Sequence, residues 1–146
     1  MEIMIEDDIE LCETKRPSAS PWFAAAILDC SKYSLSEYIE KGQIPLAFDI
    51  GAPGATRLCL RMATASVMAV KTGLRPSSDM AKFFYAAFPK DKPFYKPPRL
   101  AWMLHCDYDH IYHLLAAKAL ADTGDAKRYL IPRESIIEFL TKRRLK

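Results

Sequence analysis

The chain has little glycine, and its few glycines are scattered. Five glycines occur in 146 residues, and none of them builds the Gly-rich loop that holds phosphate groups in many enzymes. The Ser, His and acidic residues also form no nucleophile motif of the kind found in hydrolases. We therefore expect neither an enzymatic activity nor a cofactor.

Paired cysteines and long apolar runs are missing as well. Cys12, Cys30, Cys59 and Cys106 form no CxxC pair, and no charged-then-apolar leader opens the sequence. This pattern predicts reduced thiols and a cytoplasmic, rather than a secreted, protein. No apolar run approaches the roughly 20 residues of a membrane span, so we expect no membrane partner.

Basic residues are absent from residues 1–14, which carry six of the 18 Asp and Glu residues. The rest of the chain therefore carries twelve acidic residues against all 21 Lys and Arg residues. A basic body suits a polyanionic partner such as double-stranded DNA, and hence a nucleoid location, although an ordinary solvated surface is the alternative. Half of the residues are hydrophobic, which is enough to build one ordinary domain or two small ones.

Prolines divide the chain into two halves. The segment "FPKDKPFYKPPR" (88–99) is typical of an extended, proline-stiffened linker. The predicted organisation is an acidic leader (1–16), a first module (17–75), an aromatic helix with a Pro-rich linker (76–98), and a second module with a basic tail (99–146). The aromatic helix "DMAKFFYAAF" (79–88) is expected to pack in the core. Alternatively, residues 83–88 contact a second copy of the chain or a partner protein.

The two halves resemble each other. Residues 24–44, "AAAILDCSKYSLSEYIEKGQI", align without gaps with residues 100–120, "LAWMLHCDYDHIYHLLAAKAL", and Cys30 falls on Cys106. Each copy is typical of a helix, a tight turn and a second helix. Internal duplication is the simplest explanation of the match.

Each helix pair is followed by two strand-like runs around a turn, in residues 48–62 and 122–132. Each hairpin leads into another apolar helix, which starts near Met62 in the first copy and near Ile131 in the second. The sequence therefore predicts a mainly helical α+β chain. It contains two tandem modules, each with a helix pair, a β-hairpin wing and a closing helix.

The segment "RYLIPRESIIEFLTKR" (128–143) resembles the closing signature of excisionase-family helix-turn-helix proteins, relatives of the MerR-like winged helices. The resemblance covers residues 100–144 well and residues 22–72 more loosely. In that family the second helix of the pair enters the major groove, and the wing contacts backbone or minor groove. The resemblance thus implies tandem winged helix-turn-helix modules in a DNA-binding transcriptional regulator or an excisionase-like recombination factor.

The resemblance also implies which residues contact DNA. The recognition positions are Ser31, Lys32 and Ser34 in the first copy and Asp107, Tyr108 and His110 in the second; the wing contacts are Arg57, Arg61, Lys127, Arg128 and Arg133. Arg143 and Arg144 either contact DNA too or stabilise the end of the last helix through its dipole. Neither recognition helix carries an arginine, so the predicted contact is mainly with the phosphate backbone.

Two other functions are compatible with the sequence. A protein-interaction adaptor would keep the fold but bind partners through residues 83–88 and the acidic leader. A metal-linked sensor would use Cys106, His110 and His113, whose i, i+4, i+7 spacing places them on one helix face. Because Cys30 repeats Cys106 without a nearby histidine, Cys106 is better explained as a buried turn residue, and no metal is predicted.

Overall fold

The computed structural model describes residues 16–122 and 129–145. The acidic leader up to residue 15 lies outside the described residues, as do Lys127 and Arg128. Within the described ranges the chain is an α+β protein whose helices far outweigh its short strands. The predicted α+β, mainly helical class is therefore confirmed.

The first half contains two helices, a strand pair and a closing helix, all preceded by a short strand. The elements are β1 (Ser18–Ala19), α1 (Pro21–Leu28), α2 (Lys32–Glu40), β2 (Ala47–Asp49), β3 (Leu60–Ala63) and α3 (Thr64–Lys71). Local sequence explains where α1 begins. The Ser20 hydroxyl accepts a bond from the Phe23 amide (3.2 Å), and Pro21 occupies the first turn, where its missing N–H costs nothing.

After one additional helix, the second half repeats the order of elements of the first, except that no strand among the described residues corresponds to β2. The elements are α4 (Met80–Ala87), β4 (Phe94–Tyr95), α5 (Pro97–Met103), α6 (Tyr108–Ala116), β5 (Ile131–Pro132) and α7 (Arg133–Lys142). Among the described residues, no helix combines the length and the apolar character needed to cross a bilayer.

The paired helices of the two halves begin at a constant spacing. Helices α1 and α5 begin at Pro21 and Pro97, 76 positions apart, and α2 and α6 have the same offset. The closing helices α3 and α7 begin at Thr64 and Arg133, 69 positions apart. The second copy is therefore shorter by seven residues, all of which fall between its second helix and its closing helix.

The turn between the paired helices is also the same in both halves. Asp29 and His105 adopt the left-handed conformation (φ of 50° and 55°) directly before Cys30 and Cys106. In each turn the cysteine amide donates to the carbonyl five residues earlier, at 3.0 and 2.9 Å. These bonds satisfy carbonyls at the end of the first helix and set the angle at which the second helix leaves.

In the described part of the chain, the strands form two antiparallel sheets. The first has the order β1-β3-β2, with Ser18 opposite Ala63 and Asp49 opposite Leu60. The second pairs β4 with β5 and places Tyr95 opposite Ile131. Strand β4 falls inside the segment predicted as a linker, so part of that segment belongs to the sheet of the second half.

The residues after α7 extend the first sheet. The Asp49 amide donates to the Arg143 carbonyl (2.9 Å), and the Leu145 amide donates to the Ala47 carbonyl (2.8 Å). Arg144 lies opposite Phe48 in an antiparallel bridge. The tail of the second half thus covers the free edge of β2 in the first half.

The hydrophobic core connects the two halves. A smaller cluster lies within the first half and includes Phe23, Leu35 and Val67. A larger cluster joins Phe48 and Ile50 of the first half to buried residues from α4 to α7, such as Leu100, Ile111, Leu114, Ile131 and Ile136. The larger core is therefore shared by both halves, whereas the buried residues of the smaller core all belong to the first half.

The aromatic helix α4 lies against this shared core. Phe84 and Phe88 are buried, and the ring of Phe83 stacks on Phe48 with 5.7 Å between centroids. Tyr85 is 71% exposed on the opposite side. Most of the aromatic side chains in residues 83–88 thus pack inside the protein.

We predict that the two halves unfold in one transition. Trp22 lies on α1 and Trp102 on α5, so Trp102→Phe and Trp22→Phe each leave one fluorophore, in opposite halves. The urea midpoints of these two variants should coincide. Ile50→Val, which removes a methylene from a fully buried site, should lower the free energy of unfolding by about 0.5–1.5 kcal/mol with both reporters. Two separate midpoints would contradict the shared core.

A second prediction concerns the turns after α2 and α6. Gly42 (φ 74°) and Lys118 (φ 61°) occupy equivalent positions, and only glycine adopts such a φ without cost. Lys118→Gly should therefore raise the free energy of unfolding by about 1 kcal/mol in urea denaturation. In the matched exchange, Gly42→Lys should lower it by a similar amount, because an added Cβ meets no atom within 4 Å and only the φ penalty remains.

Candidate nucleic-acid interface

Helix α2 presents its first turn to solvent. The Ser31 hydroxyl caps the helix by accepting a bond from the Ser34 amide (3.2 Å), while Leu35 anchors the opposite face in the smaller core. Lys32 and Tyr33 are exposed, and Tyr33 is 86% accessible. No acidic residue occupies this turn, so the Lys32 ammonium adds to the positive end of the helix dipole.

Helix α6 has the opposite charge at the equivalent place. Asp107 is its N-cap residue and Asp109 lies in its first turn. His110 does not face solvent fully, because its Nε2 lies 2.6 Å from the Ile50 carbonyl oxygen at the end of β2. Of the positions predicted for recognition in the second half, Tyr108 is the one that is largely exposed without a charge, at 58%.

Tyr108 belongs to an exposed aromatic cluster. Its ring meets Tyr112 edge-on at 6.2 Å between centroids, and Tyr112 meets Tyr129 edge-on at 5.3 Å. Tyr129 precedes β5, so the cluster joins helix α6 to the strand that leads into the closing helix. We call this set Tyr108, Tyr112 and Tyr129 the tyrosine cluster.

One side chain holds together the two ends, or base, of the loop that connects β2 and β3. Asp49 Oδ1 accepts bonds from the Gly51 amide (2.9 Å) and the Cys59 amide (3.0 Å). Gly54, at the tip, has a φ of 79° that favours glycine. Beyond this base Arg57 is exposed, as the wing prediction requires.

Arg61 lies on β3 but points into the fold. Its Nε donates to the carbonyls of Leu104 (2.9 Å) and His105 (3.1 Å), and its Nη1 donates to the Leu60 carbonyl (2.7 Å). The two acceptors in the second half lie where α5 ends and its carbonyls have no helical partner. Arg61 thus ties the first half to the end of α5.

Three more of the predicted DNA contacts bond to backbone carbonyls in the same way. Arg133 Nε donates to the Phe88 carbonyl, Arg143 Nη1 donates to the Gly51 carbonyl (2.9 Å), and Arg144 Nη2 donates to the Pro45 carbonyl (3.2 Å). All three side chains are half-buried. The structure gives these arginines a role in folding, and a role in DNA contact stays a prediction.

The cysteine and the two histidines considered as metal ligands are not arranged as a metal site. Burial raises the pKa of the Cys106 thiol to about 12, so the thiol is protonated and a poor ligand. His110 bonds to a carbonyl, and His113 is exposed on α6. Across residues 16–122 and 129–145, no group of His, Cys, Asp and Glu could hold a metal ion.

The sequence did not predict that these arginine side chains point into the fold. Arg57 and Arg61 are two exposed wing contacts in the sequence interpretation, but only the tertiary structure brings the end of α5 within reach of Arg61. No local pattern distinguishes these two residues. The one usable signal is the helix end at Leu104, where free carbonyls require donors.

We predict that this difference appears in stability measurements. Arg61→Ala should lower the free energy of unfolding by about 1.5–3 kcal/mol, because its acceptors lose charge-assisted hydrogen bonds. Arg57→Ala, which removes the same side chain from an exposed position, should change it by less than about 0.5 kcal/mol. Equal losses in urea denaturation would contradict the assignment of Arg61 to the interior.

Comparison of the chain with family models, curated proteins and solved structures gave no match.

Proposed function

We propose that this chain binds duplex DNA through the first half, with α2 as the helix that enters the major groove and the β2–β3 hairpin as a wing. The observation that carries this proposal is the contrast between α2 and α6. Both are second helices of the same repeated turn, but α2 begins with an exposed Lys32 and no acid, whereas α6 begins with Asp107 and Asp109. A phosphate backbone attracts the first arrangement and repels the second.

The construction of the helix pair supports this role. The left-handed turn at Asp29 and the cap at Ser31 hold α2 at a defined angle to α1, and Leu35 turns one face of α2 into the core. The N-terminal residues of a recognition helix are those that reach base edges in helix-turn-helix proteins. In α2 these residues are Lys32 and Tyr33, both exposed.

The mode of contact follows from the available side chains. Helix α2 contains no arginine or asparagine for bidentate base contacts, and Lys32 and Arg57 supply charge. We therefore propose binding to the backbone with selectivity from DNA shape, in an architectural recombination factor or a transcriptional regulator rather than an enzyme.

The second half acts as a brace in this proposal. It covers the edge of β2 with residues 143–145, receives Arg61 at the end of α5, and bonds His110 to the end of β2. Each of these contacts fixes the base of the hairpin. A wing held in this way loses little conformational entropy when it meets DNA.

The proposal predicts a salt-dependent affinity that depends on two side chains. Binding of the full chain to a labelled pool of mixed-sequence duplexes can be measured by fluorescence anisotropy. The affinity should fall steeply as the salt concentration is raised from about 50 to about 200 mM. Lys32→Ala and Arg57→Ala should each reduce the slope of log affinity against log salt by about 0.9, because each removes one phosphate contact.

Two variants serve as controls. Lys90→Ala removes one exposed positive charge outside the first half and should leave the slope unchanged. Tyr108→Ala alters the equivalent position of α6 and should leave the affinity at about 50 mM salt unchanged, whereas Lys32→Ala should lower it. An affinity loss with Tyr108→Ala equal to that with Lys32→Ala would assign DNA contact to both halves. Absence of binding at low salt would overturn the proposal.

The second candidate function is that of a protein-interaction adaptor, and the tyrosine cluster favours it. Exposed, mutually packed tyrosines are typical of the centres of protein interfaces. Tyr85, the exposed aromatic residue of α4, offers a second contact point. This function would explain a chain that folds as described and binds no DNA.

A further inference from the structure

A continuous groove runs along α4, between this helix and its neighbours α3 and α5. It consists of three adjoining depressions of 230, 260 and 370 Å³, and Ala86 lines all three. Ala65 of α3 lines the first two, and Trp102 of α5 lines the third. We call this feature the α4 groove.

The lining of the α4 groove is apolar. Ala65 and Ala86 are exposed, and Met68 and Phe83 are half-buried beside them. No segment among residues 16–122 and 129–145 covers these side chains. Small side chains in a row leave room for larger apolar side chains of an occupant, whose burial would be favourable.

The rim of the groove is basic. Lys82 lies at one end, Arg16 in the middle, and Lys92 and Arg99 at the other end. Asp79 is the one acidic residue in the described lining, and its Oδ1 already accepts a bond from the Lys82 amide (3.2 Å) as the cap of α4. An occupant with carboxylates therefore meets several cations and one carboxylate that already has a donor.

The α5 end of the groove has an additional donor. Tyr95 lines this end, and its buried hydroxyl has no hydrogen-bond partner among the described residues. Two cations contact aromatic rings nearby: the Arg99 guanidinium lies 4.6 Å from the Trp102 ring centroid, and the Lys92 ammonium lies 5.4 Å from that of Tyr95. An unpaired donor beside two cations favours an anionic ligand.

We propose that the α4 groove binds the acidic segment of the same chain, residues 2–13. This segment contains six acidic residues and no Lys or Arg, interleaved with apolar residues such as Ile5, Ile9 and Leu11. Its composition therefore complements both the apolar lining and the basic rim. Only residues 14 and 15 separate this segment from Arg16, which itself lines the groove.

The distance along the chain permits this contact. Cys12 precedes Arg16 by four residues, which span up to about 14 Å when extended. The part of the groove between Lys82 and Ala87 extends about 8 Å along α4, at 1.5 Å per residue. The inference stands whether or not the chain binds DNA, since it depends on the groove and the composition of residues 2–13.

The natural Cys12 thiol allows a direct test in the full chain. In Ala86→Cys, a glutathione redox buffer should produce an intramolecular disulfide between residues 12 and 86 in most molecules, detected by peptide mapping. The matched control is Ala116→Cys, an exposed alanine on α6 that does not line the groove, and we expect at least a tenfold lower yield. Lys82→Glu combined with Arg99→Glu should lower the yield at position 86 several-fold, as should high salt.

Each other outcome has a defined meaning. Equal yields at positions 86 and 116 would overturn the proposal. A disulfide between residues 12 and 86 of two different molecules, persisting on dilution, would also overturn it and would assign the groove to a second copy. If Ala86→Cys fails to fold by circular dichroism, Ala65→Cys replaces it, since Ala65 is exposed in the same groove.

Discussion

The position of β2 between two cores is the constraint on which the rest of this structure depends. Successive residues of a strand point to opposite faces. Ala47 accordingly belongs to the smaller cluster, whereas Phe48 and Ile50 belong to the larger one. Both edges of β2 are hydrogen-bonded, one to β3 and the other to the tail after α7. A strand that is buried on both faces and paired on both edges fixes how the two halves sit, and thereby the base of the hairpin and the groove beside α4.

The same packing changes the meaning of the basic composition. Arginine keeps its charge in a partly buried site, and its fork of N–H groups suits carbonyls that a helix or a strand leaves unpaired. Arg61, Arg133, Arg143 and Arg144 all bond to such carbonyls. Part of the positive charge in the body of the chain is thus used in hydrogen bonds within the fold. The charge that an external polyanion meets is set by fewer residues, among which Lys32 and Arg57 lie on the proposed DNA-binding half.

The helices could largely be predicted from the sequence, whereas the contacts between the halves could not. Pro21, Pro97 and the cap at Ser31 are local signals that act within one turn, and the helices begin where these signals place them. Strand β4 was not predicted, because two residues between prolines show no hydrophobic periodicity. The strand forms through its pairing with β5. The direction of Arg61 was missed for a related reason: its acceptors lie 43 and 44 residues further along the chain. The predicted tandem winged-helix organisation and its DNA contacts remain predictions.

The pairing of residues 143–145 with β2 also bears on how copies of this chain associate. The equivalent residues of the first half, 69 positions earlier, are residues 74–76, and they follow α3 as the tail follows α7. Leu145 donates its N–H to Ala47, but Pro76, at the corresponding position, has no N–H to donate. A strand from a second copy would therefore find one bond fewer there than β2 finds in its own chain. An edge contact between copies through residues 74–76 would therefore make fewer hydrogen bonds than the contact that joins the halves.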